Sequence, residues 1–209
     1  MKDPRSLWNS RYSKNNRMSS IDGRWILPMM DRLEMPREGW VLDIGCGSGG
    51  VSRCLTDLGY KVVSIDLSGE ALRICGQVAP QAIRFQVDVG HGLPFDNGSF
   101  KFIVANLSLH YFDWPTTERV FQDVRRCLTP GGILLVQLNS TKDVNYGAVG
   151  HEEIEPGFYL VNGERKRFFD QDSIDTLFET GWEIQGIQEL TEGRFTETKV
   201  LWEVVLEKG

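Results

Sequence analysis

The segment Trp40-Val41-Leu42-Asp43-Ile44-Gly45-Cys46-Gly47-Ser48-Gly49-Gly50 constrains this chain more than any other. It starts as a short apolar run and ends with four glycines in six residues. Such a run predicts a buried strand that stops abruptly and turns into a helix. Glycine has no Cβ, so the chain can bend sharply there and its amides can come close to a ligand. In an open parallel sheet such a loop sits at the carboxyl end of its strand, where the ligand crevice lies.

Gly45-x-Gly47-x-x-Gly50 fits the dinucleotide pattern GxGxxG, a weak signal by itself. Asp43 argues against a pyrophosphate, because a carboxylate two residues before the first glycine would face an already anionic group. A cofactor carrying an amino group and a sulfonium cation would be attracted instead. Residues 41–49, VLDIGCGSG, follow the D-x-G-x-G-x-G spacing. They resemble the first motif of the class I S-adenosylmethionine (SAM)-dependent methyltransferases.

Further along, Lys61-Val62-Val63-Ser64-Ile65-Asp66 reads as a second strand ending in an acid. Asp66 follows Gly45 by 21 residues, near the offset at which a carboxylate meets a ribose diol. Ser68 is placed to cap the next helix. Residues 83–89 form a third strand ending at Asp88, and residues 100–106 a fourth ending at Asn106. Asp113-Trp114-Pro115 opens a helix to about Leu128. Thr129-Pro130-Gly131-Gly132 then leads into a fifth strand, 133–138. Asp170 or Asp172 caps a final helix, and residues 182–187 and 200–206 pair as an antiparallel hairpin. Strand and helix alternate over nearly the whole chain, so a doubly wound α/β sheet follows.

The resemblance implies more. It predicts a single Rossmann-like domain over residues 1–209, with a seven-stranded sheet that is mostly parallel and has an antiparallel last strand. SAM is the implied cofactor and S-adenosyl-L-homocysteine the product. Asp43 and the loop Gly45, Cys46 and Gly47 would orient the methionine end, with Asp66 and Leu67 at the ribose. Asp88 and Val89 would hold the adenine, and Asn106 and Leu107 would lie beside the amino group. Leu-x-Pro-Gly-Gly before the fifth strand is a second feature shared with the family. Enzymes that methylate base amino groups commonly carry N/D-P-P-Y/F after the fourth strand, whereas this chain has Asn106-Leu107-Ser108-Leu109. The fragment 106–112 resembles instead the histidine-bearing segment of small-molecule methyltransferases, which makes His110 and Tyr111 the catalytic candidates. More weakly, parts of the chain look like tellurite-resistance-like methyltransferases.

Two stretches stand outside the core pattern. Residues 1–35 carry Leu7, Trp8 and Tyr12 in a polar leader, then Trp25, Ile26, Met29, Met30 and Leu33 at helical spacing up to Pro36. Trp8 either pins the terminus or belongs to a lid over the crevice. Residues 139–171 are too long for a plain crossover and form a substrate-side insertion. With Trp8 and Tyr12, its Tyr146, His151 and Arg167 are the substrate candidates. The run HEEIE lacks H-E-x-x-H geometry, so no metal is expected. Arg165-Lys166-Arg167 either pairs with those acids or grips an anionic substrate, and Arg125 and Arg126 are expected on a solvated helix face.

Composition narrows the partners. The net charge of −6 argues against nucleic acid, which wants a basic face. No apolar run approaches the roughly 20 residues of a membrane helix. Four scattered cysteines without C-x-x-C suggest reduced thiols in a cytoplasmic protein, with the Cys46 thiol reachable from the crevice. The leading expectation is methyl transfer from SAM to a small molecule by a monomer or homodimer. The alternatives are a non-catalytic SAM-binding regulatory protein, an NAD-dependent oxidoreductase, and a methyltransferase acting on nucleic acid.

Overall fold

The computed structural model describes residues 3–14, 22–33 and 38–209. Two short helices, α1 (Pro4–Lys14) and α2 (Leu27–Arg32), precede the first strand, β1 (Trp40–Ile44). Pro28 lies in the first turn of α2, where its missing N–H costs nothing. The expected stop at Pro36 lies outside the described residues. There follow α3 (Gly50–Asp57), β2 (Lys61–Asp66), α4 (Gly69–Val78), β3 (Ile83–Gln86), β4 (Phe100–Asn106), α5 (Trp114–Cys127) and β5 (Leu128–Asn139). Ser68 caps α4 by accepting from the Ala71 amide, and Asp113 caps α5 by accepting from Thr116.

Next comes a three-stranded antiparallel sheet: β6 (Glu152–Glu155), β7 (Phe158–Val161) and β8 (Glu164–Arg167). It occupies the stretch read from sequence only as a long insertion. The chain closes with α6 (Gln171–Phe178), β9 (Trp182–Glu192) and β10 (Lys199–Lys208). Asp170, not Asp172, caps α6 in a reciprocal pair with Ser173.

The main sheet runs β3-β2-β1-β4-β5-β10-β9. Five strands are parallel, β10 is antiparallel to β5, and β9 is antiparallel to β10. Strand order reverses between β1 and β4, which opens a crevice at their carboxyl ends. The sheet is covered on both faces. Phe121 and Val124 of α5 and Ile174 and Phe178 of α6 pack against Leu42, Ile44 and Ile103 on one face. Met29, Met30, Val51 and Leu55 pack against Val41, Phe102 and Val104 on the other.

Two sequence readings need correction. Strand β3 stops at Gln86 instead of Val89, because Asp88 turns out to cap a 3-10 turn and accepts from the Gly90 amide at 3.0 Å. Arg125 and Arg126 are anchors, not a solvated face. Arg126 donates to the carbonyls of Leu93 (3.0 Å) and Phe95 (2.6 Å), and Arg125 to that of Gly181 (3.0 Å). They tie α5 to the loop ahead of β4 and to the turn ahead of β9.

The glycine loop leaves little room for change. Gly49 has φ +87°, and a Cβ there would lie 2.8 Å from the Cys75 sulfur and 3.0 Å from its Cα. Gly49→Ala is expected to lower stability by about 1–2 kcal/mol from the left-handed backbone alone, more with the clash. Urea denaturation checks this, and an unchanged midpoint would contradict it.

Candidate functional site

Ile44, Asp66 and Asn106 end three neighbouring strands and share the wall of one cavity of about 680 Å³. Gly45, Ile65, Leu67, Asp88, Val89, Leu107 and Tyr111 also line it. Trp8 and Tyr12 of α1 close it from above. Most of the residues expected at a cofactor therefore meet at the predicted crevice.

Asp66 organises the wall. Its two oxygens accept from the amides of Gly47 (2.9 Å) and Ser68 (2.8 Å), fixing the glycine loop and the start of α4. A carboxylate has about four lone-pair sites, so two remain for a ligand's hydroxyls. Burial pushes its pKa up, against the pull of those backbone donors.

Asp43 sits deeper, beneath the loop, and does not line the cavity. It is 1% exposed and accepts from the Ser52 hydroxyl of α3 at 2.6 Å. Ser52 in turn meets Ser64 of β2 at 2.8 Å. Burial pushes the Asp43 carboxyl up to about 7, and the negative charge of Asp66 adds to the rise, whereas the Ser52 hydroxyl opposes it. Two acids so disposed favour a cation nearby.

Cys46 is buried, and its thiol lies toward the Gly47 carbonyl at 3.8 Å, so the expected access from the crevice is not found. At Gly47, which has φ +52°, a Cβ would come within 2.6 Å of the Tyr12 hydroxyl of α1. Ser108 donates to the Ile44 carbonyl at 2.6 Å and fills the space a Cβ on Gly45 would need. Leu107 holds φ +52°, an uncommon conformation for a non-glycine residue at a strand end.

Three contacts bring α1 over the crevice. Asn9 accepts from the Ser68 hydroxyl at 2.8 Å, Arg11 pairs with Glu164 of β8 at 2.6 Å, and the Trp8 ring lies 5.5 Å edge-on from Tyr111. Helix α1 has no fully buried residue, so these polar and ring contacts hold it in place of an apolar stripe.

The remaining candidates lie elsewhere. His110 is 3% exposed, outside the cavity lining, and its ring is 4.3 Å from that of Tyr111. Burial and the charges of Lys199 and Lys166 hold its pKa well below the ordinary imidazole range. Burial, then the Glu164 charge, pushes the Tyr111 hydroxyl up. Arg167 is buried under Phe158 and Trp114, ion-paired with Glu155. Tyr146 bonds the Glu197 backbone, and His151 lies just ahead of β6, away from the cavity. Sequence reasoning missed Glu164, which lines the cavity beside Arg165, the first residue of the basic triplet. The signal was Asn162-Gly163, a two-residue hairpin turn after the apolar run 158–161. Both residues have positive φ, +52° and +83°.

An open α/β sheet with an acid-lined crevice at its switch point defines a cofactor-binding protein of the doubly wound class. Residues 41–132 match the family described as a methyltransferase domain. Over 106 residues, 51% of this chain, it is 33% identical to malonyl-(acyl-carrier protein) O-methyltransferase of Enterobacter lignolyticus, covering 41% of that protein. Over 165 residues, 72% of this chain, it is 26% identical to a probable 18S rRNA (guanine-N(7))-methyltransferase of Dictyostelium discoideum, covering 56% of it. The chain thus spans about half the length of these relatives. A SAM-dependent methyltransferase structure from Methanosarcina mazei superposes with a TM-score of 0.72 at 22% identity, over 86% of this chain and 96% of that one. Residues 41–132 thus match a methyltransferase domain, on a fold shared with a SAM-dependent methyltransferase structure. Among the described residues no helix is long and apolar enough to cross a membrane.

The buried acid gives a pH prediction. An acid whose folded pKa exceeds its unfolded value holds a proton that the unfolded chain has lost, so stability falls as pH rises between the two values. For Asp43 that window runs from the ordinary carboxylate range to about 7. Asp43→Asn keeps an acceptor for Ser52 and should flatten the decline of the ligand-free melting temperature across this window. Identical slopes in thermal scans of both proteins would contradict it.

Proposed function

We propose that this chain transfers a methyl group from SAM to a small-molecule acceptor. The observation that carries the reading is a pair of neighbouring carboxylates, Asp43 buried beneath the glycine loop and Asp66 half-buried in the crevice wall. A cation relieves their repulsion, whereas a pyrophosphate increases it. The hairpin of β9 and β10 also replaces the parallel second half that a nicotinamide-binding sheet continues into.

In this reading, Asp66 accepts both ribose hydroxyls, with Leu67 beside the ring. Asp88 and the Val89 amide hold the adenine edge, next to the apolar wall of Val87. The main chain of Gly45, Cys46 and Gly47 follows the methionine end, and the Asn106 carbonyl accepts from its amino group. Bound SAM supplies an activated methyl: the acceptor's lone pair takes it, the C–S electron pair stays on sulfur as S-adenosylhomocysteine, and an O–H or N–H acceptor gives up its proton. The chain's task is alignment and exclusion of water. Helix α1 serves as the lid, with Trp8 and Tyr12 facing the cofactor. Tyr111, with the buried His110 packed against it, is neutral at pH 7 and forms a wall behind the acceptor, not a strong base. Enclosure by α1 and the charge of −6 favour a small acceptor over nucleic acid.

Asp66→Ala is expected to weaken SAM binding by about tenfold or more, the loss of charge-assisted hydrogen bonds. Calorimetric titration with SAM, with circular dichroism to confirm folding, checks it. Unchanged affinity in the folded variant would sink the assignment.

A further inference from the structure

Strand β4 lies between β1 and β5, and the residues that end it are tied to both neighbours. On one side the Leu107 amide donates to the Gln137 carbonyl of β5 at 3.0 Å. On the other, the paired register of β4 with β1 stops at Val104 and Asp43. Past that point the Ser108 hydroxyl donates to the Ile44 carbonyl at 2.6 Å. Ile44 is the last residue of β1, and Gly45 opens the glycine loop. One hydroxyl thus joins the segment after β4 to the strand end from which the loop departs. Strand β2 holds the loop from the opposite side, where the Ile65 carbonyl accepts from the amides of Gly45 (2.8 Å) and Cys46 (3.0 Å).

The conformation held by this tie is not one the chain adopts freely. Leu107 has φ +52°, in the left-handed region where a Cβ is unfavourable. A strained residue of this kind persists only where its surroundings fix it. The Asn106 side chain gives little help, since its Oδ1 is buried without a hydrogen-bond partner among the described residues. Leu109 anchors the chain further on, fully buried in the core. Between that anchor and the Leu107 amide, the Ser108 hydroxyl supplies the polar contact that fixes the turn.

The fit is close as well. A Cβ on Gly45 would lie 2.3 Å from the Ser108 Cβ, so the glycine at the head of the loop is what lets the serine approach. Asn106, Leu107 and Ser108 line the cavity together with Ile44 and Gly45, so the tie lies in its wall.

We propose that Ser108 is a positioning residue for the amino-acid end of the cofactor. Its hydroxyl holds Leu107 left-handed and thereby keeps the Asn106 carbonyl at a fixed distance from Gly45, in place for the cofactor's amino group. The inference rests on the proposed SAM reading and extends it to a residue outside the ribose and adenine contacts. Without the bond, the segment after β4 relaxes out of its strain, and the cofactor must restore the turn as it binds. Apparent affinity then falls with the fraction of molecules still in the competent form. The cost falls on ligands that carry the amino-acid end. An adenosine ligand without that end uses Asp66, Asp88 and Val89, which belong to β2 and the turn after β3, across β1 from Ser108.

The test compares two ligands on the full chain by calorimetry, directly or by competition. One is S-adenosylhomocysteine; the other is methylthioadenosine, which shares its adenosine and sulfur but lacks the amino-acid group. Ser108→Ala is expected to weaken S-adenosylhomocysteine about fivefold or more, the net worth of one hydrogen bond, and to leave methylthioadenosine within about twofold. Ser108→Cys, whose thiol is a weak donor, should fall between Ala and wild type. Circular dichroism confirms folding, and if Ser108→Ala does not fold, the comparison is read on Ser108→Cys against wild type. Equal weakening of both ligands would mean a general loosening of the fold and would overturn the proposal. Unchanged S-adenosylhomocysteine affinity in a folded variant would overturn it too. If the wild-type chain binds neither ligand, the underlying SAM reading fails instead, and the two failures are separate.

Discussion

Two neighbouring carboxylates, Asp43 buried and Asp66 half-buried, set the terms for everything else in this molecule. Burying a charge without a partner costs several kcal/mol, so the fold must either protonate such groups or surround them with donors. It does both. Asp43 is pushed up to about 7 and leans on Ser52, while Asp66 is held by two backbone amides. The amides it uses belong to the glycine loop and to the start of α4, so the acid that meets the ligand also shapes the loop around it. A cationic cofactor beside these acids relieves the repulsion between them. Binding energy and loop geometry are therefore coupled through the same atoms.

The additions to the sheet give the site its enclosure. Helix α1 lacks an apolar face and depends on Asn9, Arg11 and Trp8 to reach across from α4 to β8. The small β6–β8 sheet is in turn seated by Arg167, whose guanidinium bonds the Phe112 carbonyl at 3.1 Å while its backbone amide bonds that of His110 at 2.7 Å. The segment after β4, the lid and the added sheet thus share contacts. A shift in any one of them changes the wall that faces the acceptor.

Much of this was legible in the sequence, and the reasons differ by residue. The order of elements followed from strong local signals: β-branched runs, caps at Ser68 and Asp113, and glycines where the backbone must turn left-handed. Asp66, Asp88 and Asn106 could be placed because strand ends in a parallel sheet converge on one edge. What sequence could not supply was direction. Asp43 and Cys46 lie in the same motif as Gly45, yet both point beneath the loop, because alternation along β1 and the turn at Gly45 send them into the interior. Tyr146 and Arg167 looked like free chemistry, but each is bonded to a distant partner, and His110 is buried against Tyr111. Arg167 was indistinguishable from Lys166 in the triplet, and only β8 pairing shows which of them finds an acid. The Asn162-Gly163 hairpin turn was readable after the apolar run 158–161 and was passed over.

The most direct test is a crystal structure of the full chain with S-adenosylhomocysteine. The account predicts the ribose hydroxyls on Asp66, the adenine against Asp88 and Val89, and the methionine end along Gly45 to Gly47 beneath Tyr12. Density for the ligand anywhere else, or a ribose that leaves the Asp66 oxygens untouched, would contradict it.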